Sequence, residues 1–408
     1  MEQYNLIPHL FRTEFRKLTS VLCTYLGIRY MQVAEDIASE TFMAALESWT
    51  YKGIPDNPVA WLYFVAKNKA INHIKREKIF TGKIANDLKV QSLNNEQIDI
   101  DLSDKNISDS QLQMLFAICH PVIPVESQVG LALRILCGFG IDEIATAFLS
   151  NKETINKRLY RAREILRQEN IPIEFPSGKE INNRLQSVLI TLYLLFSEGY
   201  YSESNDAILR EELCVEAMRL ASMLVEYEQT NLPDVNALFA LMCFHSSRFP
   251  ARTNDNGEMV LYNEQDESLW NRELIEKGVY YLHKASGGES VSKYHLEASI
   301  AYWHTIKEDT QEKWESILML YNKLLQLQYS PVAALNRTYA LSKAYGKQKA
   351  IEEAEKLKLT DNHFYFTLLG ELYTGIDNRK AIQNFQLALS LAKTQSDKQT
   401  IQKKIERL

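Results

Sequence analysis

Apolar residues recur at three- and four-residue steps along most of this chain, the spacing of amphipathic helices. In QVAEDIASETFMAALESW (32–49), Val33, Ile37, Ala38, Phe42, Ala45 and Trp49 make one apolar face. Asp36, Glu40 and Glu47 fall on another, at i, i+4 and i+11. By spacing alone these acids read as an ordinary solvated face on a core helix. A second helix follows in NPVAWLYFVAKNKAINHIKRE, after a turn, TYKGIPDNP, that Trp49 and Trp61 bracket. Its pattern assigns Trp61, Phe64, Val65, Ile71 and Ile74 to the buried side and leaves Lys67, Asn68, Asn72, Lys75 and Arg76 outside. Amides and amines beside aromatics suit unstacked bases, since rings supply stacking and cations neutralise phosphates.

Residues 140–166 carry a more specific pattern. The helix IDEIATAF has Asp142 and Glu143 in its first turn, where they complement the helix dipole. After a tight break, Ser150-Asn151-Lys152-Glu153 fits the S-x-x-E capping box that opens a helix. In that second helix Ile155, Leu159, Ala162 and Leu166 point inward. Lys152, Asn156, Lys157, Tyr160, Arg161 and Arg163 are expected outside, flanked by Arg158. This fits a helix-turn-helix whose second helix enters the major groove. Lys152, Glu153, Asn156 and Lys157 would meet base edges, and Arg158, Arg161 and Arg163 phosphates. The competing reading is a basic helix on an αα-hairpin.

Composition supports an all-α fold, because Gly (15) and Pro (10) are scarce in 408 residues that are 46% hydrophobic. The net charge is −6, yet Lys67–Lys78 and Lys152–Arg167 are local basic stretches. Clustered basic patches on a near-neutral half are a nucleic-acid footprint. Five cysteines without a CxxC pair read as reduced thiols of a cytosolic protein. The N-terminus lacks a signal-peptide pattern, and the longest apolar run, Val188–Phe196, is too short to span a bilayer. No membrane association is expected.

The chain divides into helical residues 1–80, a polar stretch 81–110 read as a flexible linker, helical residues 111–170, and a long helical part, 179–408. IPIEFPSG (171–178) marks the last boundary with two prolines. Within the last part, 248–268 reads as a loop with at most a small hairpin.

Taken together, the first two modules resemble a bacterial RNA polymerase sigma factor of the extracytoplasmic-function type, over about residues 5–168. AEDIASETFMAALESW stands where that family has its core-polymerase-binding helix in region 2, and NPVAWLYFVAKNKAINHIKRE where it has its promoter −10 helix. HPVIPVESQVGLALRILCGFGIDEIATAFLSNKETINKRLYRARE resembles region 4, which binds the −35 element. The resemblance implies that Asp36 and Glu40, with Glu47 on the same helix, meet basic clamp helices of core RNA polymerase. It also implies that Asp56 and Asn57, before Trp61, sit where a flipped −10 base is captured. Extruding a base costs a few kcal/mol, which the capture site must offset. The sequence departs from the family at Ser39, usually Gln, at Asn72, usually Asp, and at Gly140, usually Ser.

The whole chain resembles the subgroup with a long fused helical extension, through YLLFSEGYY, LFALMCFHSSRFPAR, YNEQDESLWNRELIEKG and SPVAALNRTYAL. EASIAYWHT (297–305), ALNRTYALSKAYG (334–346) and FTLLGELYTG (366–375) recur at intervals near 35. Leu369-Gly370-x-x-Tyr373 with Ala381, Phe385 and Ala388 approximates a tetratricopeptide pattern. Such repeats stack into grooves that bind peptides or another domain. Arg248, Arg252, Asp255, Gln265 and Asp266 form either a ligand pocket or a network tying the loop to its helices. His295 and His304 are too irregularly spaced for a metal site. No G-x-S-x-G or GxxxxGK[ST] occurs. The expectation is therefore a transcription initiation factor with no cofactor, no metal and no catalytic residues. Two alternatives stay open: a helix-turn-helix regulator acting without polymerase, and an enzyme whose active site lies in the C-terminal half.

Overall fold

The computed structural model describes residues 2–84, 100–178, 180–201, 207–252, 260, 262–288, 290–392 and 395–408, and every regular element among them is helical. The chain forms two compact units, Met1–Ser204 and Asn205–Leu408.

In the first unit α1 (Glu2–Leu26) packs on α2 (Met31–Lys52), α3 (Pro58–Ile84) and α4 (Asp104–Ile118). Phe15, Leu18, Ala38, Phe42, Ala45, Trp49, Leu62 and Ala66 make their shared core. Gly53 ends α2 at φ +81°, a left-handed conformation that suits glycine, and its N–H bonds the Trp49 carbonyl at 3.1 Å. The Trp49 and Trp61 rings then meet edge to face, 5.4 Å apart, across the turn.

The buried seam of α3 is Leu62, Ala66 and Ala70. The predicted set is shifted by one position: Phe64 is 66% exposed, and Trp61, Val65, Ile71 and Ile74 are half-buried. Periodicity sets the spacing of an apolar face, and the two alanines favour the rotation that brings α3 closest to its neighbours. Helix α3 runs on to Ile84 and α4 begins at Asp104, so both ends of the 81–110 stretch are helical; residues 85–99 lie outside the described residues.

Helix α4 leads through α5 (Val125–Leu131) and a π-helical turn, Ala132–Leu136, into α6 (Ile141–Ala147) and α7 (Lys152–Gln168). The N-cap of α7 is Asn151, whose Oδ1 accepts from Thr154 N at 2.8 Å, so the capping box expected from Ser150 does not form. Its reciprocal half appears one helix earlier, where Glu143 Oε2 accepts the Gly140 N–H at 2.6 Å. Helix α8 (Ile181–Tyr201) packs on α4 and α5: Arg184 donates to the Phe116 carbonyl at 2.5 Å, and Thr191 Oγ1 to Gln128 Oε1 at 2.8 Å. The proline-rich boundary at 171–178 therefore does not end the first unit.

The second unit opens with α9 (Ala207–Glu226) and α10 (Pro233–Ser246), whose residues 235–244 are all buried. Around α10 pack α9, α12 (Arg272–Ala285) and α13 (Lys293–Trp303), with α11 (Phe249–Arg252) a single turn between. The remaining helices, α14 (Gln311–Leu327), α15 (Pro331–Tyr345), α16 (Lys347–Leu357), α17 (His363–Tyr373), α18 (Asn378–Leu391) and α19 (Gln395–Glu406), pack in chain order. The three recurring segments lie in α13, α15 and α17, each the first helix of a consecutive pair.

A Cβ at Gly370 would stand 2.6 Å from the ring of Phe385, which is 1% exposed and has no room to yield. Gly370→Ala is therefore expected to destabilise the second unit by about 1–3 kcal/mol, read as a lower urea midpoint, with Phe385→Leu partly restoring it.

The described part of the 248–268 loop contains 3-10 turns at Tyr262–Glu264 and Glu267–Leu269 and no hairpin; 253–259 lie outside the described residues. It is tied down by cations. Lys307 donates to the Gln265 carbonyl at 2.6 Å, Lys313 to Tyr262 Oη at 2.9 Å, and Tyr262 Oη to the Ile306 carbonyl at 3.1 Å.

Candidate nucleic-acid interface

Helix α2 keeps Met31, Ala34, Glu35, Ala38, Phe42, Ala45 and Trp49 inside. Asp36, Glu40 and Glu47 are all exposed, as expected. Met43, 57% exposed, completes their line at i, i+4, i+7 and i+11, a residue that the acidic pattern alone did not single out. The result is a carboxylate stripe with an apolar centre, an arrangement suited to a basic partner with an apolar contact. Gln32 donates to Asp36 at 3.2 Å, and Lys69 of α3 pairs with Glu40 at 2.7 Å.

On α3, Asn68, Asn72, Lys75 and Arg76 are exposed and Lys67 is half-buried. Asp56 and Asn57 are exposed in the preceding loop. Asn57 Oδ1 caps α3 by accepting from Ala60 N at 3.0 Å, so its oxygen serves the helix, while Trp61 is held against Trp49. The exposed Phe64 adds an aromatic face that the predicted burial had hidden. Ala60, Tyr63, Phe64 and Lys67 line an open depression of about 440 Å³ with residues 100–102. Tyr63 forms its floor by donating to Glu14 of α1 at 2.6 Å; burial first, then this carboxylate, raises its phenol pKa and keeps it protonated.

Helix α7 presents Lys152, Glu153, Asn156, Lys157, Tyr160 and Arg161 to solvent, with Arg158 half-buried over the Phe148 ring at 5.9 Å. Lys152 reaches Asp142 of α6 at 3.0 Å, and Lys157 reaches Glu153 at 2.6 Å. Exposed pairs of this kind are worth at most about 1 kcal/mol and yield readily to phosphate.

Arg163 departs from the expected outward set. It turns inward to Glu35, which is 3% exposed, with Nη2–Oε1 at 2.6 Å; Nη1 also donates to Gln32 at 3.2 Å. Arg134 lies on the other side, with Nε 3.6 Å from the same carboxylate. The signal for Glu35 was present in the sequence as an acid placed on the apolar stripe 31-35-38-42.

Of the C-terminal candidates, Arg248 and Gln265 are buried, and Arg248 sits 5.4 Å from the Tyr262 ring centre. Asp266 is exposed and caps a 3-10 turn by accepting from Ser268 N at 2.9 Å, which lowers its pKa; Asp255 lies outside the described residues. This is the network arrangement. His295 is held by Ser292 and the Ala285 carbonyl. Among the described residues no three His, Cys, Asp or Glu side chains converge as metal ligands would, and no helix is long and apolar enough to cross a membrane.

Two histidines in this region have a consequence for pH. Burial, then Arg248 and Lys313, brings His304 down to about 3; burial, then Arg248, Arg252 and His304, lowers His245 well below its ordinary value. Both are neutral when folded, whereas unfolded histidine binds a proton below about pH 6.5. Their contribution to stability is complete above that value and is lost as the pH falls toward 3, by up to about 1.4 kcal/mol per pH unit for each. The urea midpoint of the second unit is expected to fall between pH 7 and pH 5, and His304→Gln to flatten that slope; an unchanged slope would contradict the assignment.

The comparisons agree with this geometry. Residues 10–79 match the sigma-70 region 2 family, and residues 184–286 match a family of unknown function, DUF6596. Over 386 residues the chain is 32% identical to an uncharacterized protein of Rhizobium meliloti (strain 1021), covering 93% of this chain and 91% of that one. Over 144 residues it is 30% identical to an RNA polymerase sigma-H factor of Pseudomonas aeruginosa, covering 33% of this chain and 72% of that protein. No solved structure matches. With a region 2 match across α1–α3, a sigma factor aligned over most of its own length and a further helical unit behind them, the chain belongs to the sigma-70 family of RNA polymerase sigma factors and carries a C-terminal extension.

Proposed function

We propose that this protein is an extracytoplasmic-function-type sigma factor that binds core RNA polymerase in the cytoplasm and directs it to a subset of promoters. The observation that carries this reading is the pairing of two exposed faces in the region 2 match: the Asp36–Glu40–Met43–Glu47 stripe for the polymerase, and the Phe64, Asn68, Asn72, Lys75 and Arg76 face for the −10 strand. Phe64 and Trp61 supply ring surface, and Lys67, Lys75 and Arg76 supply phosphate contacts. The exposed N-terminal half of α7 reads the −35 element as a helix-turn-helix. The protein has no catalytic chemistry of its own and needs no cofactor.

The extension regulates this activity. Its consecutive helix pairs suit a tetratricopeptide-like role in receiving a protein or peptide partner. Co-elution of the full chain with purified core enzyme tests the reading, together with salt-dependent binding of promoter DNA by the complex. DNA binding by the free chain with no association to core enzyme would instead favour a regulator that acts alone.

A further inference from the structure

We infer that Glu35 and Arg163 form a latch that holds the free protein closed, and that promoter binding requires it to open. The inference rests on the sigma-factor reading. Glu35 belongs to α2, the polymerase-facing helix, and Arg163 to α7, the −35-reading helix, 128 residues further along the chain. Two cations of the second module, Arg163 at 2.6 Å and Arg134 at 3.6 Å, converge on this one buried carboxylate of the first. Arg134 is itself fixed, donating to the Phe139 carbonyl at 3.1 Å and lying 5.6 Å from the Phe15 ring centre. A buried carboxylate with such partners is a specific, two-state contact, because separation leaves a desolvated charge behind.

Distances along the helices show why the closed form cannot serve both promoter elements. Glu35 and Glu40 are five residues apart on α2, about 8 Å, and Glu40 is pinned to Lys69, between Asn68 and Asn72, at 2.7 Å. On the other side, Arg163 and Lys152 are eleven residues apart on α7, about 16 Å. With side-chain lengths included, the path from the −10 face to the −35 tip is about 50 Å at its longest. Elements centred near −10 and −35 are about 25 base pairs apart, about 85 Å of duplex. Opening the latch frees Arg163 for a phosphate and uncovers Glu35 beside Asp36, so both modules gain a ligand-facing charge when they part.

Spin labels at Tyr51→Cys and Gln168→Cys in the full chain read the separation, since Tyr51 is 89% exposed, Gln168 is exposed and all five native cysteines are buried. The free protein should give one short, narrow distance. Glu35→Gln should broaden it to longer values and tighten apparent binding of core enzyme about tenfold, as the competent fraction rises. Arg163→Gln serves as the second opening variant should Glu35→Gln fail to fold, and E35R with R163E should restore the short distance. In the complex of unsubstituted core enzyme, protein and promoter DNA the distance should lengthen. A long distance in the free protein, no change in either opening variant, or a short distance retained on promoter DNA would each overturn the latch. Failure to bind core enzyme at all would overturn the sigma-factor reading, and the opening step with it, while the free-protein distances would still report the closed contact.

Discussion

Reversing Asp36 and Glu40 to lysine together should weaken binding to core RNA polymerase by about 2–4 kcal/mol, about thirty- to a thousand-fold, while leaving the fold intact. Both side chains are exposed, and the one printed ion partner of Glu40, Lys69 at 2.7 Å, belongs to a surface pair whose loss costs at most about 1 kcal/mol. The large effect arises in the complex, where two favourable charge contacts become repulsive. Affinity measured against ionic strength separates the causes. The unsubstituted protein should lose affinity as salt rises, and the reversed variant should show little salt dependence. An affinity within threefold of the unsubstituted protein would remove the acidic stripe from the interface.

A second large effect is expected from where the chain is cut. A fragment of residues 1–178 should fail to fold, whereas residues 1–204 should melt cooperatively. Helix α8 lays Leu185, Val188, Leu189, Leu192 and Leu195, each at most 2% exposed, into the first unit alongside its polar links to Phe116 and Gln128. Each such side chain contributes about 1.5–3 kcal/mol when buried, and five of them rival the whole net stability of a domain, about 5–15 kcal/mol. Circular dichroism and gel filtration of the two fragments test this directly; a folded, monomeric 1–178 would contradict it. Any test of how the extension regulates transcription therefore has to begin at residue 205, because a cut at 178 removes part of the first unit's own core.

These two cases also mark what the sequence conveyed. The helix-turn-helix was legible because its local signals agree: acids in the first turn, a polar cap, inward Ile155, Leu159, Ala162 and Leu166, and cations between them. The exposed acids of α2 were legible for the same reason. Three features depended on long-range packing and were not. The rotation of α3 is set by the fit of Ala66 and Ala70 against neighbouring helices, so Phe64 appears outside where periodicity placed it inside. The role of α8 is set by contacts with α4 and α5, although two prolines separate it from them in the chain. Arg163 follows the exposed side of its own helix in pattern, yet is claimed by a carboxylate 128 residues away. A charge on an apolar stripe, as at Glu35, is the one sequence signal that points to such a partner.

The most direct measurement is run-off transcription with purified core RNA polymerase and the full chain, on the promoter region upstream of the chain's own gene. The account predicts a discrete transcript that requires the chain and disappears when Asp36 and Glu40 are reversed. No transcript and no complex with core enzyme, from a folded protein, would contradict it.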